Sequence, residues 1–574
     1  MRKGATTVAN SYLVPGSRES RRRALVRPLA LAVAVHLLLA GLQSGAAWVT
    51  ASAGVTASAM HVSIGVAAHA SALAGIWLST RSPDEMTPDG CDALVDVYKG
   101  TTVRELVFCT GAARSSAPID VPEWETVYDL AVSLRDGGSP LSRAQSNHLR
   151  LHEAGIDPYQ RWIARARDIG IGAWLGVRTN DDHHLYDENS PAHTAYWRSH
   201  PELRRRTYDF ERNSDRAYNF LREEVRERLL RYVLALLDKY EPDGLELDWM
   251  RRAWHFPPGH ERQGAAGITA LMRRIRDACR KGSRAIALAV RVPPTPWDCE
   301  GFGFDAVAWA REGLVDRIAP SPDMCVYDEI PVELWKQLVS GTDVLICPGV
   351  GAILRATRLK PHLKNGKRRS VGPEVLRGLA AAYFQRGGDR IHAFNLFDRS
   401  NSLGDGLYGG LLKEIGDPDS LKAKPRRHVV TYNDTFAPGF ARAERLPMPC
   451  GPCGNGSPWS DLAIPDTAEL RIDTGPVPFG LKAEVRLAFS RASRKDGDAW
   501  DGMISIPATT RVRVNGALCQ FEGPVDDVSE PTPDEDLWRY AIPEDALFGG
   551  HGVIEVKPAR CTTLDWAEIA FSNP

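Results

Sequence analysis

The chain has 574 residues, and its 71 Lys plus Arg nearly balance 72 Asp plus Glu, which gives a formal net charge of −1. Hydrophobic residues make up 43% and charged residues 25%, values that are ordinary for a globular protein. They exclude a collagen, a wholly disordered chain and a multi-span membrane protein. The balanced charge also predicts no nucleic-acid partner, because nucleic-acid binding normally requires a basic surplus.

The N-terminal segment has the features of an export signal. Arg21, Arg22 and Arg23 precede an apolar run from Leu29 to Leu42, which at about 14 residues is short for a membrane span. Ala-x-Ala sites follow, such as the one at Ala51, and the three arginines resemble a twin-arginine signal. We therefore expect an export signal over residues 1–59, a linker over residues 60–74, and a periplasmic or extracellular protein with no other membrane contact. A retained N-terminal anchor is the alternative.

Between residues 75 and 420, short apolar strand signals alternate with helix signals. The predicted strands are Gly75–Leu78, Val103–Cys109, Gly172–Val177, Gly244–Trp249, Ala285–Val292, Val315–Ala319, Asp343–Cys347 and Arg390–Phe397. The predicted helices between them are Tyr159–Ile169, Ala217–Tyr240, Ile268–Arg280 and Pro373–Arg386. Eight such units predict an α/β fold, a (β/α)8 TIM barrel with parallel strands. A doubly wound open sheet is the alternative, and it would normally carry a glycine-rich phosphate loop, which is absent here.

After residue 420, short and often alternating strand signals are separated by turn residues. They are Ala468–Ile472, Leu481–Phe489, Thr510–Val514, Leu537–Ala541, Gly552–Val556 and Trp566–Phe571. This pattern predicts an all-β sandwich over residues 428–574 without a helix. The sandwich either binds glycan through Trp538 or Trp566 or packs against the barrel, and we favour packing.

Most of the ten cysteines stand singly in apolar segments, where cysteine behaves as a small hydrophobe. Cys450 and Cys453 form one isolated C-x-x-C pair, and no second pair or nearby histidine completes a zinc site. We expect a local disulfide there.

In a TIM barrel the reacting groups come from the carboxyl ends of the strands. The fourth strand carries Asp-Gly-Leu-Glu-Leu-Asp-Trp-Met-Arg, in which alternation places Glu246 and Asp248 on one face. On the interior face an acid is costly unless it is paired or functional. Asp248 is the first candidate for a reacting carboxylate, and Glu246 is expected to tune it. A buried ion pair with Arg251 or Arg178 is the structural alternative.

Other strand ends add polar residues to the same predicted mouth. The third strand contributes Arg178, Asn180, Asp181, Asp182 and His183, whose donors and acceptors suit sugar hydroxyl groups. The remaining candidate substrate-binding residues are Arg251, Arg291, Asn395 and Asp398, with Asp323 after the sixth strand as a further acid and Trp249, Trp254 and Trp297 as stacking platforms. A metal site at His183, His184 and Asp181 would need adjacent histidine ligands, which matches no familiar spacing, so no metal is expected.

The fourth-strand segment resembles glycoside hydrolases and the exported bacterial group called glycosyl hydrolase-like 10, which carry a similar D-G-[IL]-x-[LF]-D segment. The resemblance covers about residues 70–574. It implies cleavage or recognition of glycosidic bonds in a carbohydrate, without a cofactor, and a C-terminal sandwich like the accessory modules of such enzymes.

The resemblance also implies a two-carboxylate mechanism, with Asp248 as nucleophile or base and Asp323 as acid. Asp182, Asp181 and Glu246 are the other candidates for the acid. The seventh strand ends Ile-Cys-Pro-Gly, without the nucleophile that another large set of glycosidases keeps there. A non-catalytic carbohydrate-binding protein on the same scaffold is the main alternative, and a metal-dependent hydrolase or deacetylase is the third.

Overall fold

The structure is a computed structural model. It describes residues 66–69, 78–111, 113–180, 183, 185, 187–191, 193–205, 216–356, 363–364, 367–368, 371–396, 410–435, 437, 445–452, 464–490, 505–526, 533 and 536–574. The predicted export signal lies outside these residues. Within them, no helix is long and apolar enough to cross a membrane.

A parallel sheet occupies the larger, N-terminal part of the described chain. Its strands are β1 (Val66–His69), β2 (Val103–Gly111), β3 (Gly172–Arg178), β4 (Gly244–Asp248), β5 (Ala287–Val292), β6 (Arg317–Pro320), β7 (Leu345–Ile346), β8 (Gly349–Val350) and, after a hairpin of β9 (Leu363–Lys364) and β10 (Lys367–Arg368), β11 (Ile391–Phe394). Neighbours from β1 to β7 pair in parallel, and β1 also pairs with β11. Residues 345–350 pair with β6 through β7 and with β11 through β8.

The predicted strands agree with this sheet from the second strand onwards, but the first prediction is wrong. The first strand is Val66–His69, inside the segment predicted to be a linker, and Leu78 begins a helical turn instead of ending a strand; residues 75–77 of the predicted strand lie outside the described residues. A short apolar run does not distinguish a strand from a buried helical segment by periodicity, which explains the error.

Helices connect the strands of the parallel sheet. They are α1 (Pro88–Asp96), α2 (Val127–Asp136), α3 (Arg143–Glu153), α4 (Pro158–Asp168), α5 (Ala195–Ser199), α6 (Glu223–Tyr240), α7 (Glu261–Lys281), α8 (Pro296–Phe302), α9 (Ala306–Arg311), α10 (Val332–Leu338) and α11 (Pro373–Gln385), with 3-10 turns at Pro83–Glu85 and Pro201–Leu203. The longest helices bury one apolar stripe each, as in α6, where Val225, Leu229, Val233 and Leu236 face the core. A stripe at this spacing is what packs a helix onto a sheet.

The two faces of β4 have different surroundings, although all of its residues are buried. Leu245 and Leu247 belong to the large apolar cluster that also contains the buried residues of α6 and α7. On the other face, Trp174 of β3 and Ala289 of β5 form a small separate cluster. Alternation places Glu246 and Asp248 on this second face, away from the helices.

Two antiparallel sheets form the C-terminal part. Their strands are β12 (Arg426–Val429), β13 (Met448–Cys450), β14 (Ala468–Asp473), β15 (Lys482–Ser490), β16 (Arg511–Val514), β17 (Ala517–Leu518), β18 (Gln520–Pro524), β19 (Trp538–Ala541), β20 (His551–Lys557) and β21 (Thr562–Ser572), with one short helix, α12 (Ser505–Thr509). The sheets have the orders β12-β21-β15-β19-β18 and β14-β20-β16-β17, and β13 pairs with β21. Side chains from both sheets share one apolar cluster. The sequence predicted β14, β15, β16, β19, β20 and β21, but it missed β12, β13, β17, β18 and α12.

Two expectations for this part are corrected by side-chain positions. Trp566 is 1% exposed and donates its indole N–H to Glu568, so it has no face for a sugar, while Trp538 is half-buried and packs near Phe521. Cys450 is buried and is not part of a disulfide, so the predicted local disulfide with Cys453 is wrong, whereas Cys561 is disulfide-bonded.

The antiparallel part packs closely on the last helix of the parallel part. A Cβ atom built on Gly378 of α11 would lie 2.2 Å from the carbonyl oxygen of Arg427 in β12. Only glycine permits so close an approach of strand to helix. The residues after β12 therefore start from a fixed position beside the sheet.

Gly244 provides a test of packing inside the parallel sheet. A Cβ atom at this position would lie 2.2 Å from the indole of Trp174, so we expect Gly244→Ala to lower the free energy of unfolding by about 1–3 kcal/mol through overpacking. Urea denaturation measures this. Gly410→Ala is the control, because no atom lies within 4 Å of its Cβ position. Equal unfolding midpoints for the two variants would contradict the packing described here.

Candidate functional site

The carboxyl ends of β3, β4 and β5 bring three charged residues side by side. Arg178 is the register partner of Asp248, and Asp248 is the register partner of Arg291. All three belong to the face of the sheet that is turned away from the helices. The sequence placed these residues at one mouth, and the pairing puts them next to each other on consecutive strands.

Asp248 is fully buried, and both of its carboxylate oxygens are occupied. Arg291 Nη1 lies 3.0 Å from Oδ1 and 3.1 Å from Oδ2. Oδ1 also accepts the backbone N–H groups of Met250 at 3.1 Å and Arg251 at 2.8 Å. The predicted ion pair of Asp248 with Arg251 or Arg178 is therefore wrong in its partner: Arg291 neutralises the charge, and Arg251 contributes only its backbone.

Arg291, also 0% exposed, connects β4 to the end of β6. Its Nη2 donates to the carbonyl oxygen of Pro322 at 2.6 Å and to that of Asp323, and its Nε donates to Ser321 Oγ at 3.3 Å. The guanidinium lies 3.5 Å from the ring centre of Phe394 in β11. One side chain thus fixes the position of the loop that carries Asp323.

Asp323 is the more accessible carboxylate, with 17% of its side chain exposed. It accepts two hydrogen bonds from Arg251 Nη1 at 2.9 and 3.2 Å, and Arg252 lies 3.6 Å away. The second guanidinium nitrogen of Arg251 is 3.1 Å from His183 Nε2. The structure therefore brings together Asp323, Arg251 and His183, all predicted site residues.

The arginines around Asp323 determine its ionisation. Burial acts to raise the pKa of Asp323, but Arg251, Arg252 and Arg291 outweigh burial, and the pKa is lowered. A carboxyl group with a lowered pKa is ionised at neutral pH and is poorly suited to donate a proton. The environment of Asp323 thus favours a nucleophile or base rather than the predicted acid.

Glu246 lies one layer below Asp248 and is also fully buried. Its Oε2 is 3.3 Å from Arg317 Nη2 and 3.6 Å from His392 Nδ1. Burial raises the pKa of Glu246 to about 7, with Asp248 adding to the increase and Arg317 and Arg291 opposing it. Near neutral pH this carboxyl group is therefore poised between its two protonation states.

Sequence analysis missed the partners of Glu246. Arg317 on β6 stacks 4.2 Å from the ring centre of Trp174 and lies 3.6 Å from Glu105 on β2. His392 on β11 is 0% exposed. Arg317 and His392 each follow the two-residue alternation of their own strand. Assigning the faces of every strand, and not only those of β4, would therefore have identified both residues.

Two predicted site residues have structural roles instead. Asn180 donates Nδ2 to the carbonyl oxygens of Tyr218 and Trp254 and accepts from the N–H of Tyr218, which ties the loop after β3 to the loop after β4. Trp249 is fully buried against Phe304 and other aromatic rings, so it cannot stack on a sugar. Because it follows Asp248 by one residue, alternation turns it towards the helices.

The other predicted residues differ in exposure and in whether they are described. Trp297, in α8, is 47% exposed, Trp254 is partly buried against Phe302, and Asn395 follows β11 in the left-handed region at φ 47°. Asp181, Asp182, His184 and Asp398 lie outside the described residues. Among the residues that are described, no group of three His, Cys, Asp or Glu side chains is arranged to hold a metal ion.

The segment that follows β12 contacts the same strand ends. Asp434 accepts the backbone N–H of Asp323 at 3.3 Å and the thiol of Cys325 at 3.0 Å, and it lies 3.5 Å from Arg355. Asp434 therefore joins the loops after β6 and β8. Sequence analysis missed it, because the segment carries no pattern that relates it to the sheet.

Comparisons with known proteins identify no relatives in sequence. No family model and no curated protein sequence matches the chain, so membership of the glycosyl hydrolase-like 10 group stays a prediction. Similar solved structures include α-L-fucosidase isoenzyme 2 from Paenibacillus thiaminolyticus, at 13% identity over 62% of this chain and 48% of that chain, with a TM-score of 0.36.

Two further solved structures are similar at the same low level. An α-galactosidase from Thermus thermophilus has 15% identity over 63% of this chain and 62% of that chain, with a TM-score of 0.32. A chitinase from Rhizomucor miehei has 12% identity over 60% and 98% of the two chains, with a TM-score of 0.30. The match spans less than half of the fucosidase. Similarity of this degree identifies neither a family nor an activity.

The raised pKa of Glu246 predicts a pH-dependent stability. The folded-state pKa of about 7 lies above the value of about 4.3 in an unfolded chain, so the folded state binds the proton more tightly. The stability supplied by protonated Glu246 is complete below about pH 4.3 and is lost as the pH rises through 7. Between pH 4.5 and 8, we expect the wild type to lose on the order of 3 kcal/mol more than Glu246→Gln.

Urea denaturation at several pH values measures this difference. Glu544→Gln is the matched control, because Glu544 is exposed and its substitution leaves the wild-type pH dependence in place. Parallel stability curves for the wild type and Glu246→Gln would contradict a pKa near 7 for Glu246.

Proposed function

We propose that this protein is an exported hydrolase of glycosidic bonds in a poly- or oligosaccharide. We further propose that the parallel sheet closes into a (β/α)8 barrel and that the two antiparallel sheets form a sandwich. Residues 345–350 support closure, because they pair with both β6 and β11. The shared apolar cluster supports the sandwich. In this proposal the barrel begins at β1 and ends near residue 420. The export signal and the rest of the linker expected over residues 60–74 remain predictions.

One observation carries the functional proposal: Arg291 binds the Asp248 carboxylate and also the backbone of Asp323. Carboxyl groups from two strand ends are thereby held at one mouth, where barrel enzymes place their reacting groups. Glycoside hydrolysis needs a pair of carboxyl groups, one that donates a proton to the leaving oxygen and one that attacks or activates water.

We assign the ionised role to Asp323, because its pKa is lowered and its side chain reaches solvent. Its carboxylate attacks the anomeric carbon or takes the proton of the attacking water. Asp248, which is covered and fully hydrogen-bonded, positions Arg291 and through it the Asp323 loop. With Asp323 ionised, the proton donor to the leaving oxygen in this proposal is one of the other predicted candidates, Asp182 or Asp181. Glu246 is then a buried group that tunes the charges above it.

A second function, carbohydrate binding without cleavage, is favoured by a different observation. Both Asp248 and Glu246 are 0% exposed and paired with arginines, as structural ion pairs are. In this case Trp297 and the polar strand ends would hold a glycan that the protein does not cut.

Asp323→Asn separates the two functions. If the wild-type protein is a hydrolase, it releases new reducing ends from at least one member of a polysaccharide panel, and the variant releases about 10²- to 10⁴-fold fewer per unit time. Glycan retention in affinity electrophoresis should persist in the variant. Asp277→Asn, which changes an exposed aspartate of α7, is the matched control and should keep full activity. Wild-type binding without any released reducing ends would refute the hydrolase and support the binding protein.

A further inference from the structure

Within the described part of the chain, no acid forms an ion pair with the arginine at the end of β3. Arg178 is partly buried, and its Nε atom is buried without a hydrogen-bond partner. Among the described residues, no hydrogen bond or ion pair reaches its guanidinium. A partly buried cation without an acceptor is unfavourable, so its presence requires an explanation.

The adjacent carboxylate does not supply the missing counter-charge. Asp248 is the register partner of Arg178, but its Oδ1 already accepts Arg291 and two backbone N–H groups, and its Oδ2 also lies against Arg291. The charge of Asp248 is therefore used by Arg291. Arg178 contributes a positive charge to the mouth that no described acid neutralises.

The other charged groups that the structure describes at the mouth are also mostly arginines. In the described part of the mouth, the arginines outnumber the carboxylates. The arginines are Arg178, Arg251, Arg252, Arg291 and Arg355, and the carboxylates are Asp248, Asp323 and Asp434. Arg252 is 43% exposed and has a left-handed backbone at φ 63°, so its charge also faces solvent beside Asp323.

We propose that the mouth recognises a carboxylate on an acidic glycan, and that Arg178 binds this carboxylate. The inference rests on the proposed function, since it names the substrate class of the same site. A guanidinium can donate two parallel hydrogen bonds to the two oxygens of a carboxylate. Binding a neutral hydroxyl group does not require this pair of donors. A uronate residue would bring such a group to the reacting bond, and a sulfate ester is the other anion with suitable acceptors.

Affinity electrophoresis with matched polymers tests the proposal. The probes are polygalacturonate, its fully methyl-esterified form, dextran and dextran sulfate. We expect wild-type protein to be retarded by polygalacturonate at least about ten-fold more strongly than by the methyl ester, because hydrogen bonds between charged groups are the stronger ones. Preference for dextran sulfate over polygalacturonate would assign the site to sulfate esters and overturn the carboxylate.

Variants of Arg178 test the residue itself. Arg178→Gln should weaken binding to polygalacturonate by about ten- to a hundred-fold while leaving methyl-ester binding unchanged. Arg178→Lys keeps the positive charge but not the two parallel N–H donors. Its affinity for polygalacturonate should therefore lie between those of the wild type and Arg178→Gln. Arg513→Gln, which removes an exposed charge from β16, is the control for net charge. Circular dichroism shows whether each variant is folded. If Arg178→Gln does not fold, the affinity of Arg178→Lys for polygalacturonate tests the proposal by itself.

The outcomes distinguish this inference from the proposed function. If the acidic and esterified polymers retard the wild type equally, or if Arg178→Gln weakens binding to both polymers equally, the proposed preference for a carboxylate is wrong. Neither result bears on whether the protein cleaves glycans. Absence of both binding and cleavage over the whole polysaccharide panel would overturn the proposed function, and the inference with it.

Discussion

The buried ion pair between Asp248 and Arg291 is the interaction on which the arrangement of the strand ends depends. Removing two charges from water costs several kcal/mol, and only good geometry with further hydrogen bonds offsets that cost. Both conditions are met: two backbone N–H groups complete the acceptor sites of Asp248, and Arg291 uses its remaining donors on the loop after β6. The pair therefore fixes the ends of β4, β5 and β6 relative to one another.

This ion pair gives the acids at the strand ends different environments. Asp248 is buried and both of its carboxylate oxygens accept hydrogen bonds, which is why we propose it as a positioning residue, while Asp323 reaches solvent beside Arg251 and Arg252. One layer below them, Glu246 and Arg317 form a further ion pair on the face of the sheet that is turned away from the helices. Among the described residues, no acid pairs with Arg178, and on this observation we base the proposal that its charge binds a ligand.

The sequence predicted most of the strands, and it predicted that Glu246 and Asp248 share one face of β4, because both follow from short-range periodicity. Glu246 and Asp248 lie on one face as expected, since a two-residue period needs no tertiary information. The partners were not predictable in this way: Arg291 and Arg317 meet these acids only through the register of neighbouring strands. Asn180 was misassigned because turn chemistry and ligand binding use the same residue types. The first strand was misplaced because a short apolar run has no distinguishing period.

A double-mutant cycle on Asp248→Asn and Arg291→Gln, measured as the free energy of unfolding at pH 7, tests the central pairing most directly. The account predicts that each single substitution destabilises the protein by about 3–5 kcal/mol, because each leaves a buried charge without its partner. The double variant should then be much more stable than the sum of the two losses implies. If the two losses of unfolding free energy were strictly additive, the predicted coupling would be wrong. The two side chains would then contribute to stability independently of each other.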